Sequence, residues 1–136
     1  MFKVESTDGL SSIGMNLIDI ERNYPSICIA LEIRNQGFSA HLSDVWIEWD
    51  NIKRFIAKSK DIVYEANFRH SIESISPDEM ILKIEQVNGE FVSIRYKISK
   101  SSFEHDPIQL TGSFALGTEK LSELRNAFKE IAFQFE

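Results

Sequence analysis

Ile27, Ile29, Leu31 and Ile33 are separated by Cys28, Ala30, Glu32 and Arg34. Alternation of this kind puts the apolar residues on one face of an extended strand and the others on the opposite face. The pattern governs most of the chain, and it therefore constrains the fold more than any motif does. Phe2 and Val4 predict a short first strand, closed by the turn signal Thr7-Asp8-Gly9. Residues 13–22 read as a strand whose phase is unclear. The 27–33 strand runs into Asn35-Gln36-Gly37, a hairpin loop.

The returning strand has Phe38, Ala40 and Leu42 on one face and resumes with Val45, Ile47 and Trp49. The step from 42 to 45 is three rather than two, so one extra residue near Ser43-Asp44, a β-bulge, is needed to restore the phase. Trp49 then faces the core, while Trp46 and Glu48 face the other way. Asp50 is the expected cap of a short helix with Ile52, Phe55 and Ile56 on its apolar side. Ile62, Tyr64, Ala66, Phe68, His70 and Ile72 alternate again, and Ser76-Pro77-Asp78-Glu79 is a turn.

Met80, Leu82 and Ile84 form one apolar row, and Val92, Ile94, Tyr96 and Ile98 form another. A two-residue Asn88-Gly89 turn would place these rows on opposite faces. A three-residue loop, Val87-Asn88-Gly89, aligns Ile84 with Val92 and Leu82 with Ile94, and gives Gly89 a left-handed conformation. The three-residue loop is preferred, because a one-residue slip exposes a whole row. Residues 100–107 form the longest irregular stretch. A strand follows with Ile108, Leu110, Gly112, Phe114 and Leu116 on one face. Thr118 caps a final helix, in which Leu121, Leu124, Phe128, Ile131 and Phe135 recur at helical spacing.

These elements predict an α+β fold: a curved antiparallel sheet of about eight strands, open or closing to a half-barrel, with a short mid-chain helix and a C-terminal helix. The 136 residues fit a single domain, 1–136.

The net charge is −6, divided evenly between the two halves. An acidic surface repels phosphate backbones, which argues against a nucleic-acid partner and favours a basic protein. Cys28 is the only cysteine, so no intramolecular disulfide forms and a cytoplasmic setting is expected. The start MFKVESTDGL does not read as a signal peptide, and no apolar run predicts a membrane span.

The catalytic patterns sought are absent. His41, His70 and His105 lack paired ligand spacing, and Cys28 has no C-x-x-C partner. There is no G-x-S-x-G elbow and no glycine-rich phosphate loop. No cofactor is expected, and the balance favours binding over catalysis. Glu104-His105-Asp106 reads as a solvated turn rather than a cation site. Lys53, Arg54, Lys58 and Lys60 read as a solvated helix face rather than an anion site. Trp46 is either an interface anchor or a ring covered by the following helix or a second layer.

One resemblance joins these observations. The block Trp46-x-Glu48-Trp49-x-x-Ile52-x-x-Phe55 resembles small bacterial proteins of uncharacterised function that are related in pattern to immunity proteins of the WapI type. The segments Ser74–Met80 and Phe114–Leu121, and the order of strands and helices, extend the likeness over about residues 25–132. What it implies is an inhibitor that masks a toxin domain; it supplies no catalytic residues.

The expected function is a non-catalytic protein-binding module that meets a toxin domain, expected to be basic, through Trp46, Glu48, Glu73, Asp78, Glu79, Glu104, His105 and Asp106. The alternative is a small-molecule binder or enzyme with Tyr64, Phe68 and His70 lining a cavity on the concave face of the sheet. Homo-oligomerisation through an exposed strand is a third possibility, which depends on where the sheet edges lie.

Overall fold

The computed structural model describes residues 2–60, 67–102 and 105–135. Its elements run β1 (Phe2–Glu5), β2 (Ser11–Glu21), β3 (Ser26–Asn35), β4 (Phe38–Glu48), α1 (Trp49–Ser59), β5 (Arg69–Glu73), β6 (Met80–Gln86), β7 (Phe91–Ser102), β8 (His105–Gly117) and α2 (Thr118–Ala132), with a final 3-10 turn (Phe133–Phe135). The class is α+β, with eight strands, a mid-chain helix and a C-terminal helix among the described residues. The strands form two four-stranded antiparallel meanders, β1-β2-β3-β4 (sheet A) and β5-β6-β7-β8 (sheet B), rather than one sheet.

The division falls where helix α1 replaces a hairpin between β4 and β5. Among the described residues, a backbone bond spans the break, from the N–H of Ile75 to the carbonyl of Trp46 (2.8 Å). On the far side, the Asn35 amide donates to the Tyr96 hydroxyl (3.0 Å) and the Ser113 carbonyl (3.2 Å). The two sheets therefore enclose one apolar core, which α1 and α2 complete.

Two bulges flank the middle of β3. Ile29 pairs with Val45 and Leu31 with Leu42, so Ser43 and Asp44 together oppose Ala30. This is the bulge that the three-residue step in the sequence required. On the other side Leu17 pairs with Ile29 and Asp19 with Cys28, which leaves Ile18 as an extra residue. That bulge explains why the phase of 13–22 was unreadable: Ile13 and Met15 are buried, whereas Ile18 faces solvent.

Several local expectations are corrected. Helix α1 starts at Trp49, with Glu48 at its N-cap position rather than Asp50. The cause is tertiary: the Trp49 N–H donates to the carbonyl of Pro25 (2.9 Å). Asp50 lies in the first turn and pairs with Arg54 at 3.3 Å, a placement that also suits the positive helix end. Helix α2 is capped by Gly117, not Thr118. Thr118 instead ties the helix start to the β6–β7 turn, its N–H donating to Glu90 (2.8 Å) and its hydroxyl to Gly89 (3.1 Å).

That turn comprises Asn88-Gly89-Glu90, one residue later than expected. Ile84 consequently faces Ile94 and Leu82 faces Tyr96. The expected register was two residues off but kept the same faces, so the apolar rows still meet. The Asn88 side chain closes the loop by accepting from the N–H groups of Glu90 (2.8 Å) and Phe91 (3.0 Å). Gly89 is not among the residues with positive φ. Much of 100–107 is strand rather than loop, with Ser102 pairing with His105. In β8 only Leu116 of its apolar row is fully buried and Ile108 is 72 % exposed, because the hairpin extends past the core. Of the expected run 62–72, residues 61–66 lie outside the described residues, and Arg69–Glu73 is strand.

Phe55 stands at the centre of the core. Its ring meets Phe128 edge-on (5.9 Å between centroids), Phe68 edge-on (6.3 Å) and His70 at a tilt (5.7 Å). Arg125 of α2 donates to the Ser59 carbonyl (2.6 Å), which satisfies the C-terminal end of α1. Asn51 closes the open edge of β5: its amide donates to the Ser71 carbonyl (3.0 Å) and its oxygen meets His70 Nε2 (3.0 Å). Because the Asn51 oxygen can only accept, His70 carries its proton on Nε2.

Burial, with Lys58 and Arg54 nearby, lowers the His70 pKa from 6.5 to about 4. The folded protein thus holds a neutral imidazole at a pH where the unfolded chain has already taken up a proton. Stability is expected to fall as pH drops from 6.5 towards 4. Urea titrations across this window should show that slope in the wild type and a shallower one in His70→Asn. Equal slopes would mean that the imidazole is not the group responsible.

A candidate binding face on sheet A

The outward residues of sheet A assemble a site that no single segment contains. The bulge at Ser43-Asp44 sets the phase of β4 so that Val45 and Ile47 enter the core while Trp46 and Glu48 point outwards. Across the sheet, Trp46 stands opposite Cys28, which stands opposite Asp19. In the next row, Glu48 stands opposite Ser26, which stands opposite Glu21. A half-buried indole thus shares the outward face of sheet A with Asp19, Glu21 and Glu48. Trp46 is neither fully exposed nor fully buried.

Beside this face lies a cleft of about 590 Å3 between the β4 bulge, the β5–β6 turn and the β7–β8 end, lined by Asp44, Asp78, Glu79 and Lys100 among others. Its far wall is rigidly built. Ser74 Oγ donates to the Ser76 carbonyl (2.6 Å) and accepts from the Met80 N–H (3.0 Å). The Ser99 N–H donates to the Glu79 carbonyl (3.0 Å). Pro77 and Asp78 occupy the centre of the turn, with Asp78 at φ 63° and the Glu79 N–H facing the Ser76 carbonyl (3.4 Å). Proline followed by a left-handed residue is the pattern of a type II turn, where glycine would be less strained.

The electrostatics show the convergence. Burial pushes the Cys28 thiol pKa up, and the carboxylates of Asp44, Asp19 and Glu79 push it further. The thiol is consequently protonated and inert, as expected of a cysteine within a strand. Tyr24 has its pKa raised by donating a 2.6 Å hydrogen bond to Glu48 and by the charge of that carboxylate. Among the described residues, none of Asp19, Glu21, Asp44, Glu48, Asp78 and Glu79 has a cationic nitrogen within 4.0 Å. No ion pair among the described residues offsets this repulsion; Lys100 is the cation lining the cleft, and a cationic partner would relieve it further.

Of the residues singled out in the sequence, the structure brings Trp46, Glu48, Asp78 and Glu79 to this region. Glu73 lies apart, in a groove between β5 and α1. Asp106 is exposed at the start of β8. Glu104 and the side chain of His105 lie outside the described residues. Sequence reasoning missed Asp19, Tyr24 and Asp44. Tyr24 precedes Pro25 in a loop that alternation does not address, and Asp19 joins the site only through the bulge at Ile18.

Of the residues expected to line the alternative site, His70 borders the groove of about 460 Å3 next to α1. Phe68 and His70 are buried against Phe55, and Tyr64 lies outside the described residues. No helix among the described residues is long and apolar enough to cross a membrane. No family model, curated protein or solved structure matches this chain.

Proposed function

We propose that this chain is a non-catalytic binding module that captures a basic protein domain on the Trp46-centred face of sheet A. The reading extends to an immunity role, in which the partner is a bacterial toxin domain neutralised in the cytoplasm. The observation that supports it most is the set of unpaired carboxylates around a half-buried tryptophan, with Tyr24 beside it. Aromatic anchors within a charged surround are the composition of a protein interface, and the acidic field favours fast capture of a cation-rich surface. Co-expression with an adjacent toxic domain should rescue growth, and loss of rescue in Trp46→Ala with the fold intact would tie protection to this face. Rescue undiminished by that change, or no rescue by the wild type, counts against the reading.

The strained turn supplies a separate check. Asp78→Gly should stabilise the protein by about 0.5–1 kcal/mol, because glycine adopts the left-handed conformation freely. The same change should weaken partner binding by removing a carboxylate from the cleft. Denaturation and titration of one variant report both effects, and a destabilised Asp78→Gly would show that the aspartate is there for the turn itself.

A further inference from the structure

The outward face of sheet B gathers charge of the opposite sign. Lys83 on β6 stands directly opposite Arg95 on β7, and Lys97 is the next outward residue along β7. Like charges directly opposed across two strands destabilise a sheet. Among the described residues, no carboxylate oxygen lies within 4.0 Å of Lys83, Arg95 or Lys97. The row of Lys83 and Arg95 continues to a hydroxyl on each side, Ser71 on β5 and Ser113 on β8, and Thr111 stands opposite Lys97. Lys83, Arg95, Lys97, Thr111 and Ser113 line a concavity of about 450 Å3 with Ile81, and no acidic residue lines it. Glu73 and Glu85, on the same side of the sheet, line the groove next to α1, which Lys83 also borders.

We propose that this concavity binds the phosphoryl group of a small phosphorylated molecule. Three cations with no acidic neighbour in the lining call for a ligand carrying at least two negative charges. A phosphate monoester carries about −1.5 to −2 near neutral pH, which a single carboxylate does not. The Arg95 guanidinium forms a fork for two phosphate oxygens, Lys83 and Lys97 add point charges, and the hydroxyls of Thr111 and Ser113 supply further donors. Ile81 offers an apolar wall to the organic part of the ligand. The site is on the other sheet from the acidic face, so it stands whether or not that face binds a protein.

The probes are inorganic phosphate and pyrophosphate, with chloride at equal ionic strength and citrate as a polycarboxylate. In amide NMR titrations of the whole chain, phosphate and pyrophosphate should give saturable shifts centred on Lys83, Arg95, Lys97, Thr111 and Ser113, with pyrophosphate binding tighter. Arg95→Ala should weaken binding at least about tenfold, since it removes charge-assisted hydrogen bonds, while Lys53→Ala on α1 should change nothing. Lys83→Gln gives an independent readout. It should raise the melting temperature by about 1–4 °C in chloride by relieving the opposed charges, and should lose the stabilisation that phosphate gives the wild type. Shifts no larger than those from chloride, equal binding by Arg95→Ala, or citrate binding as tightly as pyrophosphate at the same residues would overturn the assignment.

Discussion

Phe55→Ala should lower the stability of the protein by about 3–5 kcal/mol, the range for deleting a fully buried phenylalanine. Phe55 has no solvent exposure and its ring contacts Phe68, Phe128 and His70. These partners come from α2, from β5 and from the residue just before it, so the surroundings cannot collapse into the void by moving one element. The loss would take a large share of the ~5–15 kcal/mol that stabilises a domain of this kind. A fall in melting temperature of roughly 10–20 °C is expected. Phe133→Ala is the matched control: this ring is 70 % exposed, and its removal should change stability by no more than about 0.5 kcal/mol. Urea denaturation of the two variants checks the contrast. Similar effects at both positions would show that the ring of Phe55 is not the centre of the core.

The double variant Asp44→Lys, Glu79→Lys should slow capture of a basic partner by about ten- to a thousandfold, the range over which electrostatic steering acts. Both carboxylates raise the Cys28 thiol pKa, so they sit close enough to act on one patch, and both line the cleft beside Trp46. Exchanging two acids for two bases changes the local charge by four units without touching the core. Stability should hold or rise, because repulsion among the remaining carboxylates falls. Stopped-flow association at increasing salt separates the causes: the wild-type rate should drop steeply with ionic strength and the variant rate should not. Unchanged association at low salt would remove the acidic face from the mechanism.

How far the fold was legible can be traced residue by residue. Period-two alternation assigned the strands because burying one face leaves a periodic mark on the chain. The three-residue step at Ser43-Asp44 revealed a bulge because both flanking rows were long enough to show the phase change. At Ile18 the apolar residues on each side were too few and too mixed. The register of the β6–β7 hairpin was misjudged by two residues, since a shift of two keeps every side chain on its face and leaves alternation silent. The start of α1 was misplaced because a backbone bond to Pro25, distant in sequence, begins the helix ahead of Asp50.

By itself, then, the sequence determined the class of fold, the apolar rows that supply most of the core and the approximate positions of the two helices, because each leaves a periodic mark on neighbours a few positions away. The tertiary structure alone decided that the strands divide into two sheets and that Asp19, Asp44 and Glu79 come near Cys28, the cross-strand neighbour of Trp46, while Lys83 and Arg95 face each other on the opposite sheet. Those groupings depend on cross-strand register and on bulges. Coulomb interaction acts through space, so charges scattered along the chain become two patches of opposite sign only when folding brings them together.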